Sequence, residues 1–95
     1  MLYLMYFTGT RDLSRVYFAI TKVVDWTELG LALGLDYSTL QGIERDMRRI
    51  KECKMEMLSA WLQQKDDVVE KALPTWSALK TALRKIGENK VADEL

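Results

Sequence analysis

Residues 25–35, DWTELGLALGL, carry the reading of the fold. Trp26, Leu29, Leu33 and Leu35 place apolar groups along one side of a short helix, and such spacing marks a buried face. Asp25 followed by Glu28 is a capping-box pattern, in which each side chain satisfies a free N–H of the first turn. Gly34 then supplies the left-handed residue that stops a helix at little cost. The stretch runs directly into DYSTLQGIER, residues 36–45, so two short helices meet at a glycine turn. Two arrangements use such a pair: a helix-turn-helix that enters the major groove of DNA, and consecutive helices of a small helical interaction domain.

On the N-terminal side, a helix is expected from about Arg11 to Val23, with Thr10 as N-cap and Asp12 in the favourable first turn. Leu13, Val16, Tyr17, Ile20 and Val24 recur at helical spacing and predict one buried stripe. On the C-terminal side, Ser38 and Gln41 form a second capping-box pattern that opens a helix burying Leu40 and Ile43. A basic stretch, RDMRRIKECK at 45–54, leads into a longer helix from about Lys51 to Gln64, with Met57, Leu58, Trp61 and Leu62 on its apolar side. QKDDVVEKAL, residues 64–73, breaks that periodicity. Pro74 suits the first position of a fifth helix, where its missing N–H costs nothing. That helix carries Trp76, Leu79, Leu83 and Ile86 and stops at Gly87. Asn89 is expected to cap a last helix with Val91, Ala92 and Leu95. No segment sustains period-two alternation, which argues against a sheet. The three tryptophans fall on helical stripes and read as core aromatics rather than as a ligand cage.

A chain of 95 residues suits one domain, and 48% hydrophobic residues suffice for a core without disulfides or metal. Residues 1–9, beginning MLYLMYF, form an N-terminal apolar extension, and 10–95 the domain. The extension lacks the basic and small-residue flanks of a signal peptide and is too short to cross a bilayer, so no membrane insertion is expected. Cys53 has no second cysteine to pair with, which favours a reducing, cytoplasmic setting. Fourteen basic and fourteen acidic residues cancel, whereas nucleic-acid binders draw affinity from excess Lys and Arg. Histidine is absent from the sequence, which removes the commonest general base, the usual nucleophile pairs and most zinc sites. Lys51 and Lys54 would lower the Cys53 thiol pKa somewhat, but without a base Cys53 reads as a small core or boundary residue. Five scattered glycines form no phosphate loop. Neither an enzyme, a cofactor nor a metal is expected.

Taken in order, Asp12, Leu13 and Val16; Trp26, Leu29, Gly30, Leu33, Gly34 and Leu35; Leu40, Ile43 and Glu44; Met57, Leu58, Trp61 and Leu62; Trp76, Leu79, Ala82 and Leu83; and Gly87, Val91, Ala92 and Leu95 follow a pattern that resembles the death domain. The resemblance implies an all-α fold, a six-helix antiparallel bundle in the death-domain Greek-key arrangement. Its core would hold Leu13, Val16, Trp26, Leu29, Leu33, Ile43, Leu58, Trp61, Trp76, Leu79, Leu83 and Val91. Tryptophans in the second and fourth helices favour the death domain over its caspase-recruitment and death-effector relatives. The connection from Trp61 to Trp76 is longer than the family pattern.

The resemblance further implies homotypic binding to other death domains, of the same or another protein, as a scaffold in apoptotic or innate-immune (NF-kappa-B type) signalling, with homo-oligomers possible. In the family, the third and fourth helices and the loops beside the fifth commonly build the contacts. That points to a basic patch of Arg45, Arg48, Arg49, Lys51 and Lys54, and to acidic groups Asp66, Asp67, Glu70, Glu88, Asp93 and Glu94. Residues 26–45 also satisfy a helix-turn-helix locally: Gly30 is small, Gly34 turns, and Leu40 is apolar. Ser38, Thr39, Gln41 and Arg45 would then face bases and phosphates. That alternative leaves the segments after residue 45 without a role.

Overall fold

The structure is a computed structural model describing the backbone of residues 9–95 and the side chains from residue 13 onward. The apolar MLYLMYF segment lies outside the described residues. Within them there are seven helices and no strand: α1 Gly9–Ala19, α2 Trp26–Leu33, α3 Tyr37–Asp46, α4 Ile50–Leu62, α5 Val68–Lys71, α6 Trp76–Lys85 and α7 Asn89–Asp93. Six correspond to the expected helices. The additional one, α5, is a single turn inside the long connection between Trp61 and Trp76.

The fold is not a simple up-and-down array. α4 packs on α1, α2 and α3, while α2 also packs on α6, so helices distant in sequence meet across one core. Ten of the twelve expected core residues are buried, with Leu29, Leu58, Trp61, Leu79 and Leu83 fully so; Leu13 and Trp76 are half-buried against them. Ile20, Val23, Leu40, Met57 and Val68 complete the interior.

The helix ends follow local chemistry more closely than periodicity. Asp25 accepts from the Glu28 N–H at 3.1 Å and from the Thr27 hydroxyl at 2.7 Å, so one side of the expected capping box is built. At the other end of α2, Gly34 takes φ +107° and its N–H and that of Leu35 return to Leu31 and Gly30 carbonyls, the hydrogen bonding of a glycine stop. Gly87 ends α6 similarly, with φ +86°; the Glu88 N–H reaches the Leu83 carbonyl at 2.8 Å.

Several expected boundaries move. α1 begins at Gly9, so Thr10 lies within it, and it ends at Ala19 rather than Val23. The chain then turns, the Val23 N–H bonding the Ile20 carbonyl at 3.0 Å. Helical spacing no longer governs there: Val23 enters the core and Val24 is 84% exposed, the reverse of the expected stripe. Ser38 is the second residue of α3 and not its cap; Asp36 precedes the helix. Pro74 is buried ahead of α6, whose cap is Thr75, with its hydroxyl accepting from the Ala78 N–H at 3.0 Å. Asn89 is the first residue of α7, preceded by Glu88.

Candidate functional site

The basic stretch wraps the corner between α3 and α4. Arg45 sits in the last turn of α3, Arg48 and Arg49 in the link, and Lys51 in the first turn of α4; all four are exposed. The Arg45 side chain is 78% exposed and its Nε lies 3.8 Å from the carboxylate of Asp46, a water-screened pair that contributes little. Among the described residues the other ion pairs are Lys22–Glu94 and Arg84–Asp93, so the guanidinium groups of Arg48 and Arg49 lie outside that set. The Arg49 N–H donates to Glu52 at 3.2 Å, which fixes the start of α4. Lys51 carries its ammonium 5.9 Å from the centre of the Tyr17 ring on α1.

Lys54 does not join them. It falls on the inward stripe of α4, seven residues before Trp61, and is only 6% exposed. Its Nζ donates to the Thr21 carbonyl at 3.1 Å, fastening the α1–α2 turn to α4. Desolvation lowers its pKa, partly offset by the Glu88 carboxylate. Lys54 is thus a structural tether, and the spacing Lys54–Leu58–Trp61 is the signal that shows it.

The expected acidic residues divide into two places. Asp66 Oδ2 accepts from the Asp36 N–H at 2.9 Å, and the Asp67 N–H donates to the Gly34 carbonyl at 3.0 Å. Gly34 meets this segment so closely that a Cβ would lie 2.8 Å from Val68 Cα and 2.9 Å from the Asp67 oxygen. Val68 is fully buried beneath. The extra turn is therefore sealed onto the α2–α3 corner, and it brings Asp66 and Asp67 to Asp36 at the start of α3. Asp36 completes this acidic corner; its signal was an acid placed just before a helix. Backbone hydrogen bonding from Asp36, with help from Thr39, holds the Asp66 carboxyl below its ordinary range. Asp36 itself is pushed up by desolvation and then by repulsion from Asp66 and Asp67. Glu70 is exposed on α5. Glu88, Asp93 and Glu94 lie instead around α7: Asp93 binds Arg84 at 2.7 Å and Glu94 approaches Lys22 at 3.8 Å.

The two clusters mark the two ends of α3, Asp36 before its first residue and Arg45 in its last turn. Ten residues at 1.5 Å rise separate them by roughly 15 Å. Each charge sits where the helix dipole favours it, carboxylates at the N-terminus and guanidinium groups at the C-terminus.

Cys53 is buried, and desolvation raises its thiol pKa, with Glu44 and Glu52 adding to the rise. The lowering expected from Lys51 and Lys54 does not appear: the groups that act on the thiol all raise its pKa, and Lys54 turns its ammonium to the Thr21 carbonyl. Among the described residues, no group of three or more His, Cys, Asp or Glu side chains could hold a metal ion, and no helix is long and apolar enough to cross a membrane.

A family model of the death domain matches residues 13–95. The chain belongs to the death domain family. Neither a comparison with curated proteins nor one with solved structures finds a match. Death domains are protein–protein interaction modules of signalling proteins and not enzymes, which gives the exposed charged ends of α3 a context. The match runs from the middle of α1 past α7 to residue 95 and spans the connection that contains α5. In this death domain the long connection does more than lengthen a loop, since the residues leading into α5, Asp66 and Asp67, are two of the three carboxylates at the acidic corner.

Proposed function

We propose that this death domain assembles homotypically in the cytoplasm, with itself or with another death domain, through head-to-tail contact between the two charged ends of α3. The observation that carries the reading is their opposed placement: Arg45, Arg48 and Arg49 with Lys51 at one end, Asp36, Asp66 and Asp67 at the other. A surface that offers one charge at each end binds its own kind heterologously. Such contacts need not close into a ring and can extend helically, allowing homo-oligomers. Charge complementarity would set orientation and association rate more than affinity. The signalling output is of the apoptotic or innate-immune, NF-kappa-B type, in which clustering brings effectors together.

The same corner disfavours a DNA reader built on residues 26–45. A recognition helix points its N-terminal residues at bases and phosphates, and here that end carries Asp36, Asp66 and Asp67. Thr39, one of the expected base-reading residues, is close enough to Asp66 to help hold its carboxyl in the charged form.

The test is Arg48→Glu combined with Arg49→Glu, followed by sedimentation velocity and light scattering at low and high salt. Association should fall by about 2–5 kcal/mol, the range for losing interfacial charge pairs, while helicity is retained. Lys substitutions at Asp66 and Asp67 of the partner should restore part of it. Unchanged association in the double reversal contradicts the proposal, as does salt-dependent binding of duplex DNA that is lost on changing Ser38 or Gln41.

A further inference from the structure

A cleft of about 270 Å³ opens between α2 and α6, on a part of the surface that the charged ends of α3 do not use. Ala32 and Leu33 of α2 and Ala78 and Ala82 of α6 face each other across it, over Trp61 of α4. Ala78 and Ala82 are four residues apart on α6 and so share one face; their single methyl groups leave the gap that longer side chains would fill. The remaining wall is Lys71 and Ala72, at the end of the extra turn α5. That wall is held from behind by the burial of Val68 and by the bonds to Gly34 and Asp36.

The polar lining has one character. Its charged groups are Lys71 and Lys85, its hydroxyls are Thr75, Ser77 and Thr81, and among the described residues no carboxylate lines it. A shallower cleft continues from it, sharing Ala32 and Lys85 and running over Ile86 and over Leu31, which is 43% exposed. Glu28 closes that far end. The groove therefore has a cationic, hydroxyl-lined half and an apolar half, with its single carboxylate at the apolar extreme.

We infer that this groove is a second docking site, which takes a short acidic segment of a partner protein: carboxylates between Lys71 and Lys85, and a neighbouring aliphatic side chain over Leu31 and Ile86. The choice of occupant follows from charge. An acidic segment meets two cations and three hydroxyl donors at one end, whereas a basic segment would bury its charge among like charges. Placing a carboxylate in the half away from Glu28 also fixes the direction in which the segment lies. Because one wall is α5, the site depends on the lengthened connection and not on the six helices alone.

The probe is a fluorescein-labelled peptide, Glu-Glu-Leu-Glu-Leu, titrated by anisotropy against the domain, with amide shifts of the isotope-labelled domain read in parallel. Shifts should concentrate at Ala32, Ala78, Thr81 and Lys85. Lys71→Glu with Lys85→Glu, both at exposed positions, should weaken binding about tenfold or more at an unchanged thermal midpoint. A peptide with Gln in place of Glu should lose the same amount. Arg48→Glu with Arg49→Glu should leave peptide affinity unchanged, so this site and the association through α3 stand or fall separately. The inference is overturned by shifts centred on Arg48 and Arg49, by no shifts at millimolar peptide, or by reversal of the two lysines without loss of affinity.

Discussion

Gly34 and Gly87 form a matched pair for testing how the extra turn is held. Both occupy left-handed backbone, at φ +107° and +86°, so alanine at either pays the same kind of conformational penalty, about 1–2 kcal/mol. They differ in what the new methyl meets. At Gly87 nothing lies within 4 Å of a Cβ, whereas at Gly34 it would lie 2.8 Å from Val68 Cα and 2.9 Å from the Asp67 oxygen. Those are backbone atoms and cannot swing aside as a side-chain tip can. If the segment stays docked, the overlap adds about 1–3 kcal/mol, the usual cost of overfilling a packed site. If it lifts away, the burial of Val68 is forfeited, about 1.5–3 kcal/mol. Both routes lead to the same range. Gly87→Ala should therefore cost about 1–2 kcal/mol and Gly34→Ala about 2–5 kcal/mol. Urea unfolding followed by tryptophan fluorescence, compared at a common slope, reads the difference. Equal destabilisation of the two variants, within about 0.5 kcal/mol, would refute the close packing of α5 on the α2–α3 corner.

Trp61→Ala removes the largest fully buried side chain and should cost about 3–5 kcal/mol; an unchanged thermal midpoint by circular dichroism would contradict its place in the core. Asp66, held low by the Asp36 N–H, stabilises the fold above its unfolded pKa and loses that contribution as pH falls through its lower folded value. Asp36 is raised, so it opposes folding at neutral pH and is relieved as pH falls through its higher folded value. Asp36→Asn should thus raise the midpoint at pH 7 and Asp66→Asn should lower it, with the Asp66 difference gone in strong acid; the opposite order at pH 7 would count against the acidic corner. The buried Cys53 thiol, its pKa raised by desolvation, should react with a disulfide reagent only as fast as the domain opens, and rapidly in urea. Stoichiometric native labelling within seconds is the contrary result.

The core was legible because most of it lies on helices whose apolar spacing is regular. Trp26, Leu29 and Leu33 on α2, and Leu79 and Leu83 on α6, could be placed from that spacing alone. Legibility stopped where a helix stopped. Val23 and Val24 exchanged places because the chain after Ala19 is a turn, in which three-residue spacing carries no facing information. The basic patch was read from residue type, and type does not say which way a lysine points: Lys54 shares the buried stripe of α4, while Lys51 does not. The acidic corner was half visible. Asp66 and Asp67 stood out as a charged pair, but Asp36 joins them only through a contact thirty residues distant in sequence, and a single sequence carries no record of such a pairing. The charged ends of α3 are therefore grouped by the fold, which takes Lys54 out of the basic set and adds Asp36 to the acidic one.

The four-residue helix α5 has a consequence for how the native domain breathes. A helix of one turn has no stability of its own in water, because nucleation is unfavourable and nothing is left over to propagate. Its order is borrowed from Val68 in the core and from the bonds at Gly34 and Asp36. Once those release, residues 63–74 can open while the long helices around Trp61 stay closed, as a separate unit of low local stability. Amide protons of this segment will then exchange with solvent through partial opening, well before those of α4 exchange through global unfolding. Since Lys71 and Ala72 wall the groove beside α6, a molecule seated there would slow that exchange along the whole segment, including amides it does not touch, and the domain would report occupancy as a local stiffening with no change of shape.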